Sequence, residues 1–370
     1  MKVGLNATCF NDRPSGARQR FIGIYGALIR RLKDAEFVIY EPRDCRVASW
    51  FDGAANVSAR VTPIPSAGRW QKLVGGRGYW AGSVGGESFD IFEGFNLPPA
   101  SLASARTLLT IHDIRGMSAG AGALRRSAFG AILNKSLAAT DHVVTVSESM
   151  KNQLLASHPE MPVSVVYNGL DAGSFAAVRE LDLQQFRGKF GVPEAFILAV
   201  GHFEKRKNYL RLVEAVSRQQ DRGVSCYLVI IGNDSGQRGA VERRIQSLGI
   251  STKVKILSGL SDLEVRCAYK LCSLFVFPSS YEGFGIPVLE AMAAGCPTVL
   301  SDIPVFREIT QNKGVYFAHD QVESMASAIE TLLSSTGERQ RLIAYGNERV
   351  KDFTLGKLAA QMESLYRTLA

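Results

Sequence analysis

Leu274-Phe275-Val276-Phe277-Pro278-Ser279-Ser280-Tyr281-Glu282-Gly283-Phe284-Gly285-Ile286-Pro287-Val288-Leu289-Glu290 is the stretch from which the fold can be read. Its first four residues have the length and the aromatic and β-branched bias of a buried strand. Gly283 and Gly285 free the backbone where that run ends, and Pro287 suits a first helical turn because its missing N–H had no intrahelical partner to lose. The amides of Phe284, Gly285 and Ile286 then point out of a helix start, whose partial positive charge accepts a phosphate. Glu282 precedes that helix and Glu290 lies one turn inside it. Two carboxylates beside a diphosphate would repel it, so they suit hydrogen bonds from sugar and ribose hydroxyls. Either acid alone is an ordinary partner of the helix dipole, and Leu289 and Met292 alone are ordinary core residues. The joint pattern points instead to a seat for a phosphorylated sugar.

Outward from this stretch, short apolar runs alternate with longer helical patterns, the signature of βα units and parallel sheets. The first half offers strands at Val3–Ala7, Phe37–Tyr40, Val61–Ile64, Ile91–Phe92, Leu108–Ile111, His142–Val146 and Val163–Tyr167. The second offers Phe196–Val200, Cys226–Ile231, Val254–Leu257, Leu274–Phe277, Thr298–Leu300 and Val315–Phe317. With 370 residues, two α/β domains with parallel sheets are expected, each long enough to bury a core. The seam is placed in Asp171–Pro193, a charged stretch after the Asn168-Gly169 turn signal, with helical character from Leu181 to Phe190. A last apolar periodicity through Leu355, Leu358, Ala359, Met362, Leu365 and Tyr366 predicts a terminal helix that needs a surface to pack on.

In open α/β sheets ligands collect at the carboxyl ends of strands, and the polar punctuation of this chain falls there. Phe196–Val200 runs into Gly201-His202-Phe203-Glu204-Lys205-Arg206-Lys207-Asn208, which sets Arg206 and Lys207 just before a helix, where cations balance a diphosphate and the charge that grows on it as a leaving group. Gly232 and Leu260, after the next two strands, are candidate walls for a nucleotide base, against the plainer reading of strand-end turns. Leu108–Ile111 delivers His112-Asp113, either a sugar-binding or proton-carrying imidazole or a structural histidine before a helix cap. Pro14-Ser15-Gly16-Ala17-Arg18 reads as a loop in which Gly16 permits close backbone approach while Arg18 and Arg20 offer positive charge. Ser147-Glu148-Ser149 reads first as a helix cap.

A hydrophobic share of 46% with 21% charged residues excludes a disordered or fibrous chain. The net charge of +8 is spread over both halves and demands no nucleic-acid partner. It is dense locally: Gly53 to Gly86 holds no acid but Arg60, Arg69, Lys72 and Arg77 among Trp70, Tyr79 and Trp80. The acid-free stretch from Ile114 to Thr140 carries Arg115, Arg125, Arg126 and Lys135 beside Met117, Leu124 and Phe129. Cations interleaved with rings suit either anionic headgroups or a solvated face over a core, so Arg18, Arg69, Trp70, Lys72, Arg77 and Trp80 are acceptor or membrane candidates. The first residues read as a strand and no apolar run reaches membrane-spanning length, so a cytoplasmic protein with peripheral contact to the inner face of the membrane is expected. Six cysteines without a C-x-x-C pair suggest reduced core thiols and neither disulfides nor zinc.

Glu282-Gly-Phe-Gly-Ile-Pro-Val-Leu-Glu290 followed by Ala291-Met-Ala-Ala-Gly-Cys-Pro297, together with Arg206-Lys207-Asn208 and His112-Asp113, resembles glycosyltransferase family 4 over nearly the whole chain. The resemblance implies the GT-B fold, two Rossmann-like domains facing across a cleft. Residues 1–170 would form an acceptor-binding domain, 171–352 a nucleotide-sugar-binding domain, and 353–370 a helix crossing back to the first. It implies Glu290 on the ribose, Glu282 by the donor sugar, and the amides of Phe284, Gly285 and Ile286 with Arg206 and Lys207 on the diphosphate. His112 would face the transferred sugar. His202 stands where some relatives have arginine, and Gly16 stands where others have two glycines. The implied chemistry is a retaining transfer, and the chain contains no Asp-x-Asp to carry a bridging metal, so neither cofactor nor metal is expected. Thr110-Ile-His-Asp-Ile114 with Arg206-Lys-Asn208 looks most like mannosyl- and rhamnosyltransferases of bacterial surface-polysaccharide assembly, with a GDP-sugar favoured over a UDP-sugar and a glycan or lipid-linked acceptor. A nicotinamide-dependent dehydrogenase is disfavoured because Asn6–Arg20 lacks G-x-G-x-x-G. A non-catalytic sugar-nucleotide-binding protein and an epimerase of the same fold remain as alternatives.

Overall fold

The computed structural model describes residues 1–67, 79–80, 87–95, 97, 105–114, 123–224 and 226–370, with the backbone alone for 123–126. Arg69, Trp70, Lys72, Arg77, Arg115 and Met117, and the side chains of Leu124, Arg125 and Arg126, lie outside the described residues. The chain divides into two compact units, Met1–Leu170 with Leu355–Ala370, and Asp171–Thr354.

Unit 1 is built on β1 (Lys2–Asn6), β2 (Glu36–Glu41), β3 (Val57–Val61), β4 (Ile91–Gly94), β5 (Arg106–Ile111), β6 (His142–Thr145) and β7 (Val163–Val165). These form one sheet in the order β3-β2-β1-β4-β5-β6-β7, every described pair parallel. Unit 2 holds β8 (Ile197–Val200), β9 (Leu228–Ile231), β10 (Val254–Leu257), β11 (Leu274–Phe277), β12 (Thr298–Ser301) and β13 (Val315–Phe317). Their order is β10-β9-β8-β11-β12-β13, again parallel throughout. Both sheets are covered by helices on both faces, so their central strands read as continuous apolar runs; β11 is buried at every position. Each sheet winds outward from its first strand and then reverses, which puts a ligand-binding crevice at the carboxyl ends of β1/β4 and of β8/β11.

Strand positions expected from the apolar runs are met within a few residues, with one displacement. The expected Val61–Ile64 strand runs at Val57–Val61. Pro63 and Pro65 have no N–H to give a ladder, and the strand is a largely exposed edge without an apolar stripe, so its true residues carry little signal.

The terminal helix Leu355–Leu369 belongs to unit 1, where Leu358, Ala359, Met362 and Tyr366 join the core formed by Phe10, Phe21, Tyr25 and Phe37. A buried polar cluster fixes it there. Glu93, on β4 and with no exposed surface, accepts hydrogen bonds from Tyr25 Oη at 2.6 Å, from Thr110 Oγ1 and from Tyr366 Oη. Burial raises the Glu93 pKa above the ordinary carboxyl value, and these hydroxyls and nearby Arg20 offset only part of that. Arg20 corrects the loop reading, since the residue is 1% exposed and does not serve as a surface charge. Its Nη1 donates to the carbonyls of Val166 at 2.8 Å and Tyr167 at 2.7 Å and to Asn168 Oδ1 at 3.1 Å. Arg20 therefore ties the first helix to the last residues of unit 1 before the chain leaves it.

Tyr366→Phe should cost about 2 kcal/mol, because it leaves a buried carboxyl one donor short without changing the packing. Thermal unfolding measures this, and an unchanged melting temperature would show that the hydroxyl contributes nothing to docking the terminal helix.

Candidate functional site

The carboxyl ends of β8 and β11, neighbours at the reversal of the unit 2 sheet, each send one turn into the same place. After β8 the chain passes Gly201 and His202 into a short turn, Lys205–Lys207, and then Asn208, whose left-handed backbone (φ 58°) redirects it into the helix Tyr209–Asp221. This turn drives Lys207 inward, where 5% of the residue is exposed and Nζ sits 4.4 Å from the centre of the Phe277 ring. After β11 the chain passes Ser279, whose amino-acid neighbour Ser280 donates its backbone N–H to Arg206 O at 2.8 Å, and reaches Glu282. Lys207 Nζ donates to Glu282 Oε1 at 2.8 Å, and Arg206 Nη1 donates to the same oxygen. Arg206 also donates from Nε to Glu204 Oε2 at 2.7 Å and from Nη1 to Tyr281 O at 3.2 Å.

Electrostatics here are set by mutual neutralisation in a dry place. Burial alone would raise Glu282, but Lys207 and Arg206 outweigh it and hold its carboxyl below the ordinary range. Burial lowers Lys207, with Glu282 opposing; Arg206 is raised, because Glu282 and Glu204 overcome its desolvation. A lysine ammonium has three hydrogens and this one gives one to Glu282, so it can also bind a phosphate oxygen.

The helix Ile286–Ala293 begins beside this cluster, with Pro287 in its first turn. Gly285 takes φ 138°, and a Cβ there would lie 3.0 Å from the Phe306 ring, so this helix start is possible only with glycine. Phe284 is buried with its ring 6.0 Å from that of Phe353, and Ile286 is buried. Leu289 and Met292 are core residues. Glu290, half-buried, accepts a hydrogen bond at 2.9 Å from Tyr269 Oη. Tyr269 has no exposed surface and comes from the neighbouring helix Asp262–Leu271. The remaining unit 2 candidates sit on adjacent strand ends. His202 keeps Nδ1 enclosed without a partner. A Cβ on Gly232 would lie 1.9 Å from Gly201 O, so glycine is what lets the ends of β8 and β9 approach. Leu260 is half-buried ahead of Ser261, which caps Asp262–Leu271, and Gly259 N donates to Asn233 Oδ1 at 3.3 Å, joining the ends of β9 and β10.

In unit 1, His112 follows β5 and lines a pocket of about 360 Å³ with Cys9, Phe10, Asn11, Arg13, Ser15, Ala17 and Phe95. Its Nε2 is enclosed without a partner, and burial, helped by Arg20, lowers its pKa to about 3. The imidazole is thus neutral and acts by hydrogen bonding, not as a cation. Gly16 corrects the loop reading: it is the first residue of the helix Gly16–Arg20, capped by Ser15 Oγ accepting from Arg18 N at 3.2 Å. Arg18 lies over the Trp50 ring, 4.6 Å from its centre. Trp80 is half-buried against Tyr40 and Phe92, with ring centres at 5.4 and 5.7 Å, so much of its ring is engaged inside unit 1. Ser147 caps Glu148–Leu155, as expected for a structural serine. Among the described residues no group of three His, Cys, Asp or Glu lies close enough to hold a metal, and no helix is long and apolar enough to cross a membrane.

Sequence reasoning missed Tyr269 and Phe277. Both look like core aromatics, and only the packing of two helices and the path of Lys207 reveal their polar partners.

Two parallel-sheet α/β units of this topology define a GT-B protein. The same architecture is found in WaaG, a glycosyltransferase involved in lipopolysaccharide biosynthesis (TM-score 0.77, 16% identity, 99% of each chain), and in Anabaena Alr3699/HepE in complex with UDP and glucose (TM-score 0.77, 14% identity, 99% of each chain). Residues 26–173 match the model of Glycosyltransferase Family 4 and residues 182–349 that of Glycosyl transferases group 1. The chain belongs to glycosyltransferase family 4. It is 29% identical over 226 residues to the O-antigen chain mannosyltransferase RfbU of Salmonella typhimurium, the match covering 60% of each chain. It is 28% identical over 215 residues to the phosphatidyl-myo-inositol mannosyltransferase of Mycobacterium tuberculosis, covering 55% of this chain and 53% of that one. The matches thus span about three fifths or less of these two relatives.

The lowered Glu282 pKa sets a sign for acid sensitivity. Its contribution to stability is complete above the unfolded carboxyl value of 4.5 and is lost as pH falls through the lower folded value. Glu282→Gln should therefore be destabilised against the parent protein at neutral pH, with the gap narrowing as pH falls below 4.5 and through the lowered folded value. Melting curves of the two proteins that stay parallel across this range would contradict the ion-paired carboxylate.

Proposed function

We propose that the chain is a retaining glycosyltransferase that moves a hexose of mannose or rhamnose type from a GDP-linked donor to a glycan or lipid-linked acceptor in surface-polysaccharide synthesis. The observation that carries this reading is the convergence of Lys207 and Arg206 on Glu282 beside the helix start at Gly285. It joins the cations a leaving diphosphate needs to a carboxylate that suits sugar hydroxyls. The mannosyltransferase names of RfbU and of the mycobacterial relative support the sugar class, and the former's O-antigen chain supports a polymer acceptor.

In this reading the diphosphate takes the free hydrogens of Lys207 and the helix start at Ile286, with Arg206 and His202 beside it. Gly232 and Leu260 flank the base. Glu290, held by Tyr269, accepts the ribose hydroxyls, and Glu282 accepts those of the transferred sugar. The acceptor oxygen bonds to the anomeric carbon on the face from which the diphosphate leaves. The carbon–phosphate oxygen bond breaks, and the acceptor proton passes to the departing phosphate oxygen. No strong protein base is then needed, and neutral His112 serves as a positioning hydrogen-bond partner. Lys207 and the helix start supply the electrostatic stabilisation, so the reaction requires no metal. Arg18 and the basic, aromatic segment with Arg69, Trp70, Lys72, Arg77 and Trp80 are assigned to the acceptor and to peripheral contact with an anionic membrane.

Incubation with a panel of nucleotide sugars and a lipid-extract acceptor should release nucleoside diphosphate from a GDP-hexose, with the rate unchanged by EDTA. No release from any donor would count against a transferase, and a UDP-sugar serving instead would overturn the donor assignment. GDP should raise the melting temperature. Glu290→Ala should remove most of that shift, while Tyr269→Phe should weaken GDP binding by about tenfold or less, as expected for losing one orienting hydrogen bond. Equal loss with a 2′,3′-dideoxynucleotide would show that Tyr269 does not act through the ribose.

A further inference from the structure

Cys272 and Cys296 place their Sγ atoms 3.0 Å apart. All six cysteines are free thiols, and this is the one contact between cysteine sulfurs among the described residues. Cys272 ends the helix Asp262–Leu271, is half-buried, and can donate its S–H to Tyr269 O at 3.2 Å. Cys296 follows the helix Ile286–Ala293 and is 4% exposed. Between them in sequence lie β11, Glu282, the helix start at Gly285 and Glu290, so the two thiols mark the ends of the segment that carries the site. The helices they terminate already touch at the site, where Tyr269 donates to Glu290.

We propose that Cys272 and Cys296 are a redox-active dithiol that a small-molecule disulfide converts into a protein disulfide, stapling the site segment at both ends. A bond needs the sulfurs about 1 Å closer than they stand, within the reach of side-chain rotation. The flanking backbone is fixed: Ser273 N donates to Phe196 O at 2.8 Å and Phe275 N to Pro297 O at 2.9 Å. Burial raises the Cys296 thiol pKa, so the half-exposed Cys272 is the sulfur that meets the oxidant. The Cys272 thiolate attacks one sulfur of the disulfide, and the other departs as a thiolate. Cys296 then gives its proton to solvent and attacks Cys272 Sγ, expelling the second thiolate. Two protein thiols lose two electrons and two protons, and one small disulfide becomes two thiols. In a reducing compartment the pair rests as the dithiol, so oxidation reports a change of surroundings.

The test treats the full chain with oxidised glutathione, then alkylates and digests it without reduction. A peptide bearing Cys272 should be joined to one bearing Cys296 with no glutathione retained, and the melting temperature should rise by on the order of 5 °C, reversed by dithiothreitol. Cys272→Ser and Cys296→Ser should each abolish both effects; the half-exposed Cys272→Ser keeps the test open if the buried variant does not fold. Recovery of both cysteines alkylated, a stable glutathione adduct on Cys272, or an unchanged melting temperature would overturn the proposal. These readouts need no nucleotide, so they stand or fall apart from the proposed transferase activity.

Discussion

One ion cluster makes sense of unit 2: a lysine and an arginine from the end of β8 sharing a single carboxylate oxygen from the end of β11. Removing either partner of a buried pair strands a charge and typically costs several kcal/mol, so the surrounding backbone must hold both turns in place. Gly201 and Gly232 allow the strand ends to close up, Asn208 turns the chain left-handed to point Lys207 inward, and Gly285 allows the next helix to begin beside Glu282. Weighed by replaceability, apolar residues of equal size would pack as well. Lys207 gives Glu282 one of its three hydrogens, so the cluster leaves a cation able to meet a second oxygen, which is what the function proposed above asks of it.

Unit 1 supplies an internal comparison. Glu93 stands on β4, the strand that corresponds to β11 in the reversal of the sheet, and has no exposed surface, where Glu282 is partly exposed. Its close partners are three hydroxyls, which stabilise a carboxylate less than cations do, so its pKa is raised where that of Glu282 is lowered. The corresponding strand thus carries a carboxyl within its own length in unit 1 and leads to one in the turn beyond its end in unit 2. Glu93 is a joint that receives Tyr366 of the terminal helix, with Arg20 fastening the exit of unit 1 nearby, whereas Glu282 has cations with hydrogens to spare.

The sheets were legible because parallel strands buried on both faces must be apolar throughout, and Leu274–Phe277 shows this in its purest form. The edge strand Val57–Val61 was misplaced because exposure removes that constraint. Glu282 and Gly285 could be located because a glycine-marked helix start follows β11, and Lys207 because it stands just beyond the end of β8, the neighbouring strand at the reversal of the sheet. Arg20 was misread because a sequence does not reveal that three oxygens at 166–168 will surround its guanidinium. The partnership of Tyr269 with Glu290, and that of Cys272 with Cys296, arise where two helices pack, and no local spacing encodes them.

The central claim, that Lys207 is held by Glu282 in readiness for a diphosphate, is tested most directly by a crystal structure of the protein with a bound nucleoside diphosphate. The account predicts Lys207 Nζ and the Ile286 N–H within hydrogen-bond distance of phosphate oxygens, and the ribose hydroxyls on Glu290. A diphosphate bound elsewhere, with Lys207 donating to Glu282 alone, would contradict it.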